Sequence, residues 1–106
     1  MTLDEQYQQT IDDQRTHLMQ MQEDFNKVCD AAKVKAQEKL KQIPEDKKEE
    51  REAVLKEQKA TLEEALHKLK TDVDQSTKAT MKKLEVIVSE KEKQILSDLE
   101  TQMANL

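Results

Sequence analysis

The chain contains no glycine, and its only proline is Pro44. Without glycine a chain has almost no residue suited to left-handed helix caps, tight turns or phosphate-cradling loops. P-loop and dinucleotide-binding fingerprints are therefore excluded. Tryptophan is absent, and Tyr7 and Phe25 are the only aromatic residues. A 106-residue chain that is 35% hydrophobic and has so little aromatic bulk cannot build a thick globular interior. Cys29 stands alone, so no internal disulfide forms and the chain does not read as a stapled secreted domain. No apolar run exceeds three residues, Val86-Ile87-Val88 being one such run, whereas a membrane-spanning helix needs about 20. The acidic, polar stretch from Met1 to Thr10 lacks the apolar core of a signal peptide. These absences together predict an intracellular, cytoplasmic protein.

What remains is charge and helix formers. Charged residues make up 39% of the chain, with 23 acids against 18 bases and a net charge of −5. No segment carries an excess of base, so a nucleic-acid partner is not expected. High charge with few aromatics also describes disordered chains, and periodicity decides between the two. Apolar residues fall at Leu3, Tyr7, Ile11, Leu18, Met21, Phe25, Val28, Ala32, Ala36, Leu40 and Ile43. These steps of three, four or seven residues are the stripe of an amphipathic helix. Thr2 and Glu5 have the spacing of a capping box at its start. A second stripe runs through Val54, Leu55, Leu62, Leu66, Leu69 and Val73, weakens over residues 74–78, and resumes at Met81, Leu84, Val88, Ile95, Leu99, Met103 and Leu106.

Pro44 separates the stripes. Its ring disfavours a helical Ile43 and removes a backbone donor, and it suits the first turn of a following helix. Glu45 and Asp46 place negative charge at that helix's positive end. The expectation is an all-α chain: an antiparallel two-helix coiled-coil hairpin with unequal arms, in one domain spanning residues 1–106, with helices over 3–42 and 46–105 and a turn over 43–46. The competing readings are a single helix kinked at Pro44 and a three-helix bundle with a break near residues 74–78. Pairs such as Glu23–Lys27, Glu52–Lys56, Glu64–Lys68 and Asp74–Lys78 support the exposed faces by about 0.2–0.5 kcal/mol each.

If the chain reverses near Pro44, facing residue numbers sum to about 90. Phe25 then meets Ala65 and Leu66, Met21 meets Leu69, and Leu18 meets Val73. The expected seam is Leu18, Met21, Phe25, Val28, Leu62, Leu66, Leu69 and Val73. Gln14, the polar interruption of the first stripe, lands beside Ser76 and Thr77, the polar stretch of the second. A buried amide needs such partners, and a polar layer of this kind sets helix alignment. The same register leaves residues 88–106 beyond the first helix, about 27 Å at 1.5 Å per residue. Ile95, Leu96, Leu99 and Met103 on that overhang are the expected partner interface. Because most oligomers are symmetric homo-oligomers, the expected partner is a second copy, giving a four-helix bundle, or else another helical protein.

No constellation points to catalysis. His17 and His67 are expected about one turn apart across the hairpin, with no further ligand for zinc. Cys29 lacks a nearby histidine to act as base and reads as a small apolar residue. Glu64 and His67 form one Glu-x-x-His pair, the element of a di-iron bundle, but a single copy without a matching glutamate reads as solvated surface. No catalytic, metal or cofactor residue and no small-molecule substrate is therefore expected. The functional expectation is a non-enzymatic coiled-coil interaction, scaffold or adaptor protein. Its alternatives are an amphipathic lipid-surface protein acting through residues 81–106 and, more remotely, a metal-binding four-helix bundle. Segment 81–106 has charges of both signs and no Trp or Phe, which disfavours a membrane surface. In character the chain resembles small helical-hairpin adaptors, stalk pieces and secretion chaperones, a likeness of architecture that carries little about function.

Overall fold

A computed structural model of the chain describes residues Met1–Leu106. It contains two helices and no strand: α1 (Leu3–Lys41, 39 residues) and α2 (Lys48–Ala104, 57 residues). They pack against each other as a hairpin with unequal arms. Helix α2 is unbroken through residues 74–78, which removes the three-helix alternative. Four-residue spacing there keeps the helix in phase, and with neither Gly nor Pro nothing interrupts it.

The start of α1 is a complete capping box. The Glu5 amide donates to Thr2 Oγ1 at 3.1 Å, and the Thr2 amide donates back to Glu5 Oε1 at 3.3 Å. Two of the orphan N–H groups of the first turn are thereby satisfied. Along α1, Gln8, Gln9 and Gln20 donate to Asp12, Asp13 and Asp24 at 3.0, 2.7 and 2.9 Å. These four-residue pairs support the solvated face. Of the four acid–lysine pairs expected from spacing, only Asp74–Lys78 closes, at 3.0 Å.

The end of α1 shows what the absence of glycine requires. No residue has positive φ, so no left-handed cap forms. Instead the last turn tightens: Gln42 and Ile43 donate to the carbonyls of Lys39 and Leu40 at 3.1 and 3.3 Å. The Arg51 guanidinium then donates to the carbonyls of Leu40 and Ile43 at 3.0 and 2.9 Å. A charged group of α2 thus satisfies carbonyls that α1 cannot satisfy itself. Pro44 lies outside α2, whose first residue is Lys48 rather than the expected 46. Lys47 donates to the Pro44 carbonyl at 3.1 Å, closing a turn, and its own carbonyl accepts the first bond of α2 from Arg51 at 3.2 Å.

The chain divides into two compact units. One is Leu18–Val73, which holds the turn. Its buried residues are Ala36 and Val54. Ala36 and Val54 line one groove between the helices, with Val28, Ala31 and Ala32. On the outside Glu57 binds Lys39 at 3.0 Å and Lys35 at 3.7 Å. The other unit joins Met1–His17 to Asp74–Leu106. Neither unit contains a fully buried large side chain. The chain exposes 8829 Å², whereas a compact monomer of 12.4 kDa would expose roughly 6,100 Å². No helix is long and apolar enough to cross a membrane.

Candidate interaction surface

In the unit built on Leu18–Val73, Leu18, Met21, Phe25, Leu62, Leu69 and Val73 are half-buried. Met21, Phe25, Ala65 and Leu69 line one groove, the neighbourhood expected from the register. Val28 and Leu66, also expected in the seam, are 43% and 41% exposed. Cys29 and Ala65 hold the half-buried positions beside them. From Phe25 the half-buried positions of α1 continue at Cys29 and Ala32. Val28 is left on the rim, where it lines the groove with Phe25.

In the other unit a polar layer holds the helices. Gln14 Oε1 accepts from Ser76 Oγ at 2.8 Å and from Thr80 Oγ1 at 2.7 Å. Ser76 and Thr80 are one turn apart on the same face of α2, whereas Thr77, expected as the second partner, points away and is exposed. The Gln14 amide nitrogen is buried without a partner. Nearer the N-terminus Lys91 binds Asp4 at 3.3 Å. Contact between the helices therefore persists to Lys91, beyond the residue 87 or so at which α1 was expected to run out.

Past Lys91 every residue of α2 is exposed. Ile95, Leu96, Leu99 and Met103, the expected partner interface, are 50%, 53%, 49% and 70% exposed. Ile95 and Leu96 also form one end of an apolar groove of about 500 Å³, together with Leu3, Tyr7, Ile87 and Val88. Leu99 and Met103 follow Ile95 at four-residue spacing on the helix beyond the groove. Aliphatic side chains at helical spacing run along it, with Glu92, Lys93, Asp98 and Glu100 among them.

No three His, Cys, Asp or Glu side chains converge on a point where a metal could bind. His17, Glu64 and His67 are exposed. The hydrogen bond from Lys39, with the charges of Lys39 and Lys35, lowers the Glu57 carboxyl below its ordinary range. Sequence spacing did not reveal Arg51 as a cap, Lys91 as a clasp or Glu57 as a bridge, because each acts on a partner across the turn or the hairpin, outside the periodicity of its own helix. No protein-family model, curated protein or solved structure matches the chain.

Proposed function

We propose that the protein is a non-enzymatic helical interaction module that recognises a partner helix through the extension of α2. The observation that carries this is the stretch after Lys91, which stays helical to Ala104 with every side chain exposed. Most helical stability in proteins comes from packing of an apolar face, and this stretch exposes its own. It carries Ile95, Leu99 and Met103 at four-residue spacing, the pattern of anchors that enter an apolar groove.

The test is chemical cross-linking in cell extract, comparing the parent chain with Leu99→Asp. Lys91 and Lys93 flank the anchors and report their neighbours. Cross-links from these lysines to another polypeptide chain, lost in the variant, are the expected result. Identical cross-link patterns for the two proteins would overturn the proposal.

A further inference from the structure

We infer that the partner helix is the same segment of a second copy, paired antiparallel about a two-fold axis beside Ser97. This rests on the helix-binding role proposed above and specifies its occupant. The first support is area. Tyr7, Val88, Ile95, Leu96, Leu99, Met103 and Leu106 are between 38% and 105% exposed. At roughly 200 Å² for a fully exposed large apolar side chain, these fractions make available about 800 Å² per copy, the per-partner area of a standard stable interface.

The second support is the spacing of the stripe. Leu84, Ile95 and Leu106 are 11 residues apart, and so are Val88 and Leu99. An 11-residue repeat corresponds to 3.67 residues per turn, so the stripe lies nearly along the helix axis. Over residues 88–106 a straight stripe can meet an identical straight stripe.

The third support is self-complementarity in the antiparallel direction. An axis beside Ser97 places Ile95 opposite Leu99 and Val88 opposite Leu106. It brings Lys93 beside Glu100. A parallel, in-register pair would instead set Glu92 on Glu92, Asp98 on Asp98 and Glu100 on Glu100, and like charges facing one another destabilise. The antiparallel pairing also fills the groove. Met103 and Leu106 of the second copy arrive at Val88, where Leu3 and Tyr7 of the first copy form the far wall. The two-fold operation repeats that contact at the other end, as an isologous interface requires.

Sedimentation of the purified protein tests the occupant, and a spin-label distance tests the direction. The expected result is a dimer whose dissociation constant rises about tenfold or more in Leu99→Asp, as for a central anchor, with helicity by circular dichroism retained. For direction, nitroxide is placed on Lys82→Cys in a Cys29→Ser background. The antiparallel pair separates the labels by about 45 Å along the axis at 1.5 Å per residue, whereas a parallel pair brings them within about 20 Å by the packing distance of adjacent helices. Lys93→Glu should weaken the dimer, and adding Glu100→Lys should restore it. A monomer at 100 µM or so, far above the Kd of a standard interface, would overturn the second-copy assignment. A short label distance or a failed charge-swap rescue would overturn the antiparallel direction. A monomer that still shows the Leu99-dependent cross-links in extract would locate the error in the occupant; loss of both would reject the interaction role itself.

Discussion

Gln14 accepts a 2.8 Å hydrogen bond from the Ser76 hydroxyl, joining residues 62 positions apart across the hairpin. Thr80 donates to the same oxygen at 2.7 Å. One amide oxygen therefore receives two hydroxyls, while the amide nitrogen beside it has no partner. A half-satisfied polar group of this kind fixes alignment at the expense of stability.

Replacing that amide should expose the trade. Gln14→Leu removes the orphaned nitrogen, and Ser76 and Thr80 can bond back to carbonyls of their own helix. The expected outcome is a gain of about 1 kcal/mol in urea unfolding, within the penalty assigned to one unpaired buried group. Cysteine pairs placed across the hairpin would cross-link less selectively in the variant, because the register marker has gone. A loss of stability instead would mean that the two hydroxyl bonds outweigh the orphan.

Arg51 is the second test. Its guanidinium is the only side chain that bonds the carbonyls of Leu40 and Ile43. Arg51→Ala should cost about 2 kcal/mol, the range for hydrogen bonds to a charged donor. Hydrogen exchange should accelerate first in the last turn of α1. Arg51→Lys should recover only part of the loss, since a single ammonium on a different stem matches the two carbonyls less well than a planar fork.

Near the turn Ala36 is 6% exposed and Val54 9%. Ala36→Leu adds bulk at a buried position and should destabilise by about 1–3 kcal/mol, as overpacking does. The same substitution at Ala53, which is exposed, should be close to neutral. Thermal unfolding of the two variants side by side makes the comparison.

Glu57 gives a pH dependence of known sign. Lys39, then Lys35, hold its carboxyl below the ordinary glutamate value of 4.5. A group whose folded pKa is depressed contributes stability above its unfolded pKa, and that contribution is lost as pH falls through the folded value. Denaturant midpoints should therefore drop below about pH 4.5 more steeply in the parent than in Glu57→Gln. Both lysines and the glutamate are well exposed, so salt should shrink the difference. Equal acid dependence in the two proteins would remove the bridge from any role in stability.

Much of the fold was legible because it follows from local rules. Thr2 and Glu5 announce a capping box through a three-residue spacing, and the box forms. The polar positions of the two stripes coincide only if the chain reverses near Pro44, and Gln14 does meet Ser76. Where the reading missed, the cause was a shift of about one residue in helical phase or a partner from the opposite arm. Val28 and Leu66 are exposed, with Cys29 and Ala65 at the half-buried positions beside them, a one-residue difference that an apolar stripe alone does not resolve. Thr80 replaced Thr77 because a four-residue step stays on one face and a one-residue step does not.

The sequence by itself determined that this chain is helical, that it turns at Pro44, and that its arms are unequal. Those properties depend on residue type, spacing and a missing residue, all of which act along the chain. Only the tertiary structure decided how the first arm ends, with Arg51 reaching back to carbonyls that no glycine could cap. It also decided how far contact extends, with Lys91 clasping Asp4 and every residue of α2 beyond it left to solvent. Both depend on distances between residues remote in sequence, and a side chain's reach across a helix pair is set by packing rather than by periodicity.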